Sequence, residues 1–322
     1  MELLRGLGSL RSNIGPCVAT IGAFDGIHRG HQAVIAQLQE QGRVHGVPTT
    51  LVSFEPLPRE YFAREVAPAR IQSFREKYQA MSELGVDRLV CLRFNEELRS
   101  MSADAFARGI FIDGLRVRSL VIGDDFRFGL KREGDANFIR RLGEVEGFEC
   151  HPTMSVVHEQ ERVSSSRLRS ALEQADFELA GALLGRLYSM SGRVAYGRQL
   201  GRTIGAPTAN IVLRRKTVPL NGVFAVKLHC AADGPHTDTP YSGVANVGVR
   251  PTIGQELRPN LEVHLIDWQG DLYGKRVTVD FHHKLRDEKK FDSLELLKAQ
   301  IKNDVEAARQ YFASSGEAKT SH

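Results

Sequence analysis

The segment 22–31, which reads GAFDGIHRGH, combines two histidines with three glycines in ten residues. His28 and His31 lie three positions apart, and imidazole N–H groups can donate hydrogen bonds to phosphate oxygens. Gly26 and Gly30 allow a ligand to approach the backbone closely. A metal site and a pair of ordinary surface histidines are the alternatives, but no third metal ligand lies nearby in the sequence. We therefore expect a phosphate-binding turn.

The segment 163–169, VSSSRLR, offers further phosphate ligands. Its serines precede a helical pattern and are typical N-cap residues, which places Arg167 and Arg169 in the first helical turn. Guanidinium groups bind phosphate oxygens bidentately. A solvated surface role is the alternative for either arginine.

A glycine-rich stretch in the second half is a second candidate for phosphate binding. Gly192, Gly197 and Gly201 could belong to a flap whose backbone N–H groups wrap phosphates, although a glycine-rich hairpin would look the same. Thr208 and Asn210 are two positions apart, so on an extended strand they point to one side. There they could share a Mg2+ ion and the phosphate that it bridges.

The first half must position these groups through alternating strands and helices. This alternation predicts a parallel sheet with helices on both faces and with ligands at the carboxyl ends of the strands. Strands are expected at 17–22, 47–54, 86–92 and 117–122, and helices at 31–43, 70–84, 102–114 and 133–146. The turn 22–31 then joins the first of these strands to the first helix.

From residue 184 the pattern changes to short strands separated by glycine and proline turns, which suits a small barrel. Glu262 and His264 alternate with apolar residues and are expected on the face opposite to them. Strands are expected at 187–196, 223–229, 241–249, 261–265 and 275–282. A final helix carries an apolar stripe formed by Leu294, Leu297, Ile301, Val305, Ala308 and Phe312. We predict domains at 1–183 and 184–312, followed by a flexible tail at 313–322.

Composition limits the class of protein. The chain has 322 residues, of which 42% are hydrophobic and 25% charged, with a formal net charge of +4. It lacks a Lys/Arg-rich block, a C-x-x-C pair, a signal-peptide pattern and an apolar run of membrane-spanning length. We expect a cytoplasmic enzyme of small molecules, a monomer or weak oligomer, with neither nucleic acid nor membrane as partner.

Taken together, the motifs resemble the bifunctional bacterial riboflavin kinase and FAD synthetase family from about residue 15 to residue 312. The first half carries the G-x-F-D-G-x-H-x-G-H signature, the segment GDDFRFG at 123–129 and the serine-arginine segment. The second half carries GAPTAN at 205–210, PLNGVF at 219–224, GVANVG at 243–248, EVHL at 262–265 and RDEKKF at 286–291. Two departures are the PLP sequence at 56–58, which lacks the polar residue often found between the prolines, and Ser166 in place of a common threonine.

The resemblance implies a Rossmann-like nucleotidyltransferase domain followed by a Greek-key flavokinase barrel that ends in a helix. It implies two ATP-dependent reactions with Mg2+, riboflavin to FMN in the second domain and FMN to FAD plus pyrophosphate in the first. By the family motifs, the residues that hold ATP for adenylyl transfer are Gly22, Phe24, Asp25, His28, His31, Ser165, Ser166 and Arg169.

The same motifs assign the flavin and kinase ligands. Asp125 and Phe128 would bind FMN, and Glu262, Arg286 and Phe291 would bind riboflavin. Glu262 is also expected to be the general base of the kinase, because riboflavin attacks through a neutral alcohol. FMN attacks through an ionised phosphate, so His28 and His31 are expected to stabilise charge. ATP and Mg2+ of the kinase would contact Gly192, Gly197, Gly201, Thr208 and Asn210, with Thr208 and Asn210 as the metal ligands.

Two alternatives remain open at this point. One retains only the kinase or only the adenylyltransferase activity. The other is a flavin- or RNA-binding regulator on the same scaffold, against which the intact candidate residues of both sites argue.

Overall fold

The computed structural model describes residues 1–11, 15–63, 66–196, 208–231, 240–251 and 257–317. The chain forms two compact units, the first made of Met1–Pro68 and Phe74–Ser164, the second of Ala69–Ser73 and Ser165–His322. It therefore passes between the units three times. The compact units change at residue 165, whereas our predicted domain boundary lies at residue 184. The predicted boundary is based on a change of sequence pattern and the units on compactness, so the domain boundary stays a prediction.

The first unit is built on a parallel sheet, as the alternation predicts. Its strands are β1 (Glu2–Arg5), β2 (Cys17–Ile21), β3 (Thr49–Glu55), β4 (Arg88–Arg93), β5 (Val117–Ile122), β6 (Arg127–Phe128), β7 (Gly134–Asp135), β8 (Glu149–Pro152), β9 (Val157–His158) and β10 (Glu161–Arg162). Six of them form the sheet in the order β1-β4-β3-β2-β5-β8, and every neighbouring pair is parallel. The other four form two short antiparallel pairs.

Helices cover this sheet on both faces. They are α1 (Arg29–His45), α2 (Pro58–Phe62), α3 (Phe74–Glu83), α4 (Glu96–Ser100), α5 (Ala103–Ala107) and α6 (Ala136–Glu146). Successive strand residues point to opposite faces, and accordingly Cys17 and Ala19 belong to one core cluster while Val18 belongs to another. The continuous apolar runs of the sequence are therefore strands buried on both faces.

The strand order reverses between β2 and β5, which are neighbours in the sheet. In open parallel sheets, ligands bind beyond the carboxyl ends of the strands at such a reversal. The turn 22–28 follows β2 and the segment 123–129 follows β5, so both predicted ligand segments begin at this point.

The second unit begins with two helices, α7 (Ser165–Glu173) and α8 (Phe177–Leu184), which are followed by a closed antiparallel barrel. The barrel strands are β11 (Ser189–Ala195), β12 (Thr208–Val212), β13 (Gly222–Ala231), β14 (Tyr241–Pro251), β15 (Leu257–Leu265) and β16 (Arg276–Arg286). Their order is β11-β12-β15-β14-β13-β16. Strands β13, β14 and β15 pair consecutively and β16 returns beside β13, which is the Greek-key arrangement that we predicted.

The last helix, α9 (Leu294–Glu317), packs on the outer surface of the barrel. Ala308, Val305 and Phe312 contact residues of β13 and β14, so the predicted apolar stripe is confirmed in this part of the helix. Leu294, at its start, is 47% exposed. The prediction of a flexible tail from residue 313 is wrong up to Glu317, because the helix continues that far. Residues 318–322 lie outside the described part.

Candidate active sites

The turn between β2 and α1 is shaped by left-handed backbone conformations. Phe24, Gly26 and Ile27 have φ angles of 48°, 101° and 42°, so the chain reverses direction within a few residues. A Cβ atom on Gly30 would lie 3.1 Å from Nδ1 of His28 and 3.3 Å from the carbonyl oxygen of Val163. Glycine at position 30 thus allows the His28 ring to pack against the first turn of α1.

His28 is the N-cap of α1, and its Nδ1 accepts a hydrogen bond from the backbone N–H of His31 at 3.3 Å. In its neutral form His28 therefore carries its proton on Nε2. The two imidazole rings stack with centroids 3.7 Å apart, and Phe24 lies 4.9 Å from the His31 ring. The structure brings both predicted histidines together at the start of the helix, and Asp25, earlier in the same turn, is buried.

The His31 imidazole is uncharged at neutral pH. Burial, followed by the nearby charges of His28 and Lys77, holds its pKa well below the usual value of 6.5. Its Nδ1 is buried and has no hydrogen-bond partner among the described residues. His31 can therefore stabilise a phosphate by hydrogen bonding, whereas a full positive charge on this ring requires an anion nearby.

The predicted FMN ligands, Asp125 and Phe128, have different environments. Asp125 is exposed and lies 3.9 Å from Arg162. Phe128 is only 6% exposed and packs in the core against Phe106, Phe126 and Phe138. Its role in binding FMN stays a prediction, and Phe126, which stacks on it with centroids 5.1 Å apart, is the less buried of the two rings.

The remaining predicted ligands of adenylyl transfer lie in the second unit. Ser165 and Ser166 begin α7, as the N-cap pattern predicts. Arg169 follows in the same helix and donates a hydrogen bond from Nε to the carbonyl oxygen of Ala69 at 2.6 Å. Thus Arg169 stabilises the segment Ala69–Ser73 within this unit, and its contact with ATP stays a prediction.

The predicted kinase residues form a row across three barrel strands. Asn210 of β12 is the register partner of Glu262 on β15, and Glu262 is the partner of Asn246 on β14. Thr208 is paired in the same way with His264. Side chains of directly opposed residues lie on the same face, about 5 Å apart at Cβ.

This row lies on the outer face of the barrel. Leu261, Val263 and Leu265 of β15 are buried inside, while Glu262 and His264 are partly exposed. The prediction that Glu262 and His264 lie opposite the apolar residues is confirmed. The carboxylate is therefore held between two strands whose polar side chains share its face.

Of the three glycines predicted to bind ATP, only Gly192 is described, because Gly197 and Gly201 lie outside the described residues. Gly192 is buried within β11. A Cβ atom there would lie 2.5 Å from Cγ2 of Ile211 and 2.6 Å from the carbonyl oxygen of Val212. The glycine thus permits the close approach of β11 and β12, which accounts for its presence without a ligand.

Arg286, predicted to bind riboflavin, makes an ion pair with Asp304 of α9. Its Nε lies 2.9 Å from Oδ1 and its Nη2 lies 2.8 Å from Oδ2 of that carboxylate. The guanidinium carbon is 5.7 Å from the ring centroid of Phe291. Arg286 therefore connects the end of β16 to the final helix, and riboflavin contacts of Arg286 and Phe291 stay predictions.

Two family models match the chain, FAD synthetase over residues 10–167 and riboflavin kinase over residues 184–312. The bifunctional riboflavin kinase/FMN adenylyltransferase of Pseudomonas fluorescens is 50% identical, over 98% of this chain and 99% of its own length. This chain belongs to that family. The protein of the same name from Escherichia coli strain K12 is 44% identical, over 97% of this chain and 98% of its own length.

A solved structure extends the similarity to the fold of the whole chain. The crystal structure of a Streptococcus pneumoniae protein described as a macrolide-efflux protein has a TM-score of 0.78 and 28% identity, and covers 96% of this chain and 99% of that one. The family membership confirms the predicted enzyme, a transferase with its FMN adenylyltransferase module before its riboflavin kinase module.

The described residues contain neither a membrane-spanning helix nor a cluster of metal ligands. None of their helices is both long enough and apolar enough to cross a membrane. In the same part of the chain, no group of three or more His, Cys, Asp or Glu side chains is arranged to hold a metal ion.

Sequence reasoning missed several residues near these sites. Lys77 of α3 is 2% exposed and contacts the turn after β2. An aromatic cluster of Phe54, Tyr61, Phe62 and Phe94 lies at the carboxyl ends of β3 and β4, with Phe62 63% exposed. The sequence does contain a sign of the buried Lys77. It lies three residues after Phe74 and four before Met81, on the face of the helix where an apolar residue is expected.

Proposed function

We propose that the barrel phosphorylates riboflavin at the Asn210–Glu262–Asn246 row and that the sheet unit adenylylates FMN at the turn 22–31, both with ATP and Mg2+. The observation that supports the first site is the register that places Glu262 between two asparagines. The stacked histidines at the strand-order reversal support the second.

The kinase reaction requires a proton acceptor, because its nucleophile is a neutral alcohol. The ribityl hydroxyl oxygen forms a bond to the γ-phosphorus of ATP, the bond from that phosphorus to ADP breaks, and the proton passes to the carboxylate of Glu262. A general base of this kind contributes about 10²- to 10⁴-fold in rate. Asn210 and Asn246, on either side of Glu262, can orient the carboxylate and the phosphate.

The donors beside Glu262 suit a magnesium ion. Thr208 and Asn210 offer hydroxyl and amide oxygens on the same face of β12, and oxygen ligands are those that Mg2+ prefers. Mg2+ is usually held by one or two protein oxygens together with substrate phosphates, so a small donor set is sufficient. The ion would offset the negative charge of the ATP phosphates.

Adenylyl transfer needs no base. A phosphate oxygen of FMN forms a bond to the α-phosphorus of ATP, and the bond from that phosphorus to pyrophosphate breaks. The negative charge on the α-phosphate and on pyrophosphate then has to be stabilised by donors. Nε2–H of His28 and backbone N–H groups at the start of α1 are such donors. From the family motifs we also propose Ser165, Ser166 and Arg169 as ATP ligands.

The exposed aromatic cluster gives the adenylyltransferase unit a place for a planar ring. Phe62 and Tyr61 of α2 and Phe94 after β4 contact one another edge to face, with centroids 5.3 to 5.6 Å apart. Apolar ring surface left in water favours the burial of an isoalloxazine ring. We therefore add Phe62 to Asp125 and Phe128 as a proposed FMN ligand.

A flavin product assay tests the proposal. Pure protein is incubated with riboflavin, ATP and Mg2+, and riboflavin, FMN and FAD are separated chromatographically. We expect FMN followed by FAD. Accumulation of FMN without FAD would support the kinase-only alternative, and absence of ATP consumption would support the flavin- or RNA-binding regulator.

Variants then assign the sites. Glu262→Gln should lower FMN formation about 10²- to 10⁴-fold and leave FAD formation from supplied FMN unchanged. The double variant His28→Ala with His31→Ala should lower FAD formation from supplied FMN and leave FMN formation unchanged. The exposed Glu295 of α9 provides the control Glu295→Gln, which should retain both activities. Equal loss of both activities in either site variant would contradict the assignment.

The proposal also covers the location of the protein, its oligomeric state, its partners and its domain limits. We place it in the cytoplasm as a monomer or weak oligomer, with small-molecule substrates and without nucleic acid. The kinase domain is assigned to residues 184–312 and the adenylyltransferase domain to residues 1–183. Limited proteolysis with mass spectrometry and light scattering would test the domain limits and the oligomeric state.

A further inference from the structure

A buried cation lies directly beneath the turn that carries the two histidines. Lys77 belongs to α3 and is 2% exposed. Its Nζ donates hydrogen bonds to the carbonyl oxygen of Ala23 at 2.6 Å and to Oγ of Ser53 at 3.2 Å. The hydroxyl of Ser53, on β3, donates to the same carbonyl at 3.2 Å. A charged side chain is rarely buried without a specific role for its position, because removing it from water is costly.

The carbonyl that Lys77 binds is at the most constrained part of the turn. Ala23 directly precedes Phe24, whose φ of 48° lies in the left-handed region that non-glycine residues seldom adopt. Ile27, just before His28, also has a positive φ of 42°. Such conformations persist only where surrounding contacts hold them. The bonds from Lys77 and Ser53 fix the peptide group between Ala23 and Phe24.

Lys77 also influences the ring that the turn positions. Phe24 contacts the His31 ring, with centroids 4.9 Å apart, so a shift of the turn is transmitted to the imidazole. The positive charge of Lys77, and that of His28 when it is protonated, disfavour a proton on His31, in addition to the larger effect of burial. One of these groups comes from α3 and the other from the N-cap of α1.

We infer that Lys77 is a positioning residue of the adenylyltransferase site, which holds the turn 22–28, and with it the His28 and His31 rings, in place. This inference rests on the proposed location of that site. Lys77 acts through Ala23 and His31, without taking up or releasing a proton in the reaction.

The first test is kinetic. Lys77→Met should lower kcat for FAD formation from supplied FMN about 10²-fold, the usual loss when reacting groups are misplaced by about 1 Å, with KM for FMN little changed. The riboflavin kinase rate of the same preparation, which depends on the other unit, should not change and reports that the protein is intact. The exposed Lys131, the only other lysine of the first unit, gives the matched control Lys131→Met, with both rates unchanged.

The second test measures His31 itself and does not require activity. In protein labelled at histidine Cε1, the His31 NMR signal is assigned by its loss in His31→Gln and followed as a function of pH. The pKa of His31 should rise in Lys77→Met and remain low in Lys77→Arg, which retains the charge. A role of Lys77 in stability alone would not move this pKa.

The outcomes separate this inference from the proposed function. Failure of the wild-type protein to convert FMN to FAD would overturn the proposed function, and the titration would still decide whether Lys77 controls His31. An unchanged kcat together with an unchanged His31 pKa in folded Lys77→Met would overturn the inference while the proposed function stood. If Lys77→Met does not fold, the smaller change Lys77→Arg replaces it in the test. A raised His31 pKa in Lys77→Arg would then overturn the inference, because that variant retains the positive charge.

Discussion

The ion pair between Arg286 and Asp304 is a largely buried polar contact between the barrel and the final helix. Asp304 is 5% exposed and accepts hydrogen bonds from two guanidinium nitrogens of Arg286 and from Nε2 of Gln300. The change Asp304→Ala removes the carboxylate and leaves the guanidinium without its partner. We expect this variant to destabilise the second unit far more than the loss of an exposed ion pair would.

The magnitude follows from burial. Removing one partner of a buried pair costs about 3 to 5 kcal/mol, because the other charge stays behind uncompensated. The Arg286 side chain is 22% exposed, so water can partly replace the carboxylate and the lower limit applies. A cost of about 3 kcal/mol in a unit of this size lowers Tm by about 6 to 12 °C.

The chain provides its own probe and control. Its single tryptophan, Trp268, lies in the second unit, so its fluorescence during urea or thermal unfolding reports on that unit. Arg309, also on α9, forms an exposed pair with Asp267, and Arg309→Ala should cost at most about 1 kcal/mol. The double change Arg286→Met with Asp304→Leu should recover much of the loss, because an apolar pair leaves no buried charge. Equal destabilisation by Asp304→Ala and Arg309→Ala would refute the reasoning.

Two further predictions concern Gly192 and His31. Gly192→Ala should destabilise the barrel by about 1 to 3 kcal/mol, because the added Cβ would overlap Ile211. The control is Gly181→Ala in α8, where the atom nearest to the added Cβ would be 3.9 Å away. This control should not lower the stability measured by Trp268 fluorescence during unfolding. The folded-state pKa of His31 is below the unfolded value near 6.5, so the unfolded first unit binds more protons in acid. The stability of the folded first unit should therefore fall as the pH drops below about 6.5. Calorimetry should show a weaker fall for the variant His31→Gln than for the wild-type protein. An identical pH dependence of stability in the variant and the wild type would contradict the lowered pKa.

The elements of both units were predictable wherever a strand or helix has a regular apolar pattern. Continuous apolar runs predicted β2 to β5, and the period of two in β15 predicted that Glu262 and His264 share a face. The start of α7 at Ser165 followed from the capping preference of serine. These predictions depend on short-range preferences that a single segment carries by itself.

The end of α9 and the role of Gly192 were not predictable in this way. The sequence beyond Phe312 contains small and polar residues that neither extend the apolar stripe nor prevent helix formation, so the stripe ends before the helix does. At position 192, a glycine that binds phosphate and a glycine that admits a neighbouring strand have the same sequence signature. Only the position of Ile211 across the strand pair distinguishes them.

The arginines show why ligand assignments are harder to predict than folds. A guanidinium group can donate hydrogen bonds to phosphate, carboxylate and carbonyl oxygens, so residue type does not reveal which of them is near. Arg286 meets Asp304, eighteen residues further along the chain, and Arg169 meets the carbonyl of Ala69, one hundred residues earlier. For Arg286 the ion pair also fixes the end of β16, from which the chain continues to Phe291. A riboflavin contact by Arg286 would therefore have to coexist with the Asp304 pair, and the kinase KM for riboflavin in Asp304→Ala would measure how far the two are linked.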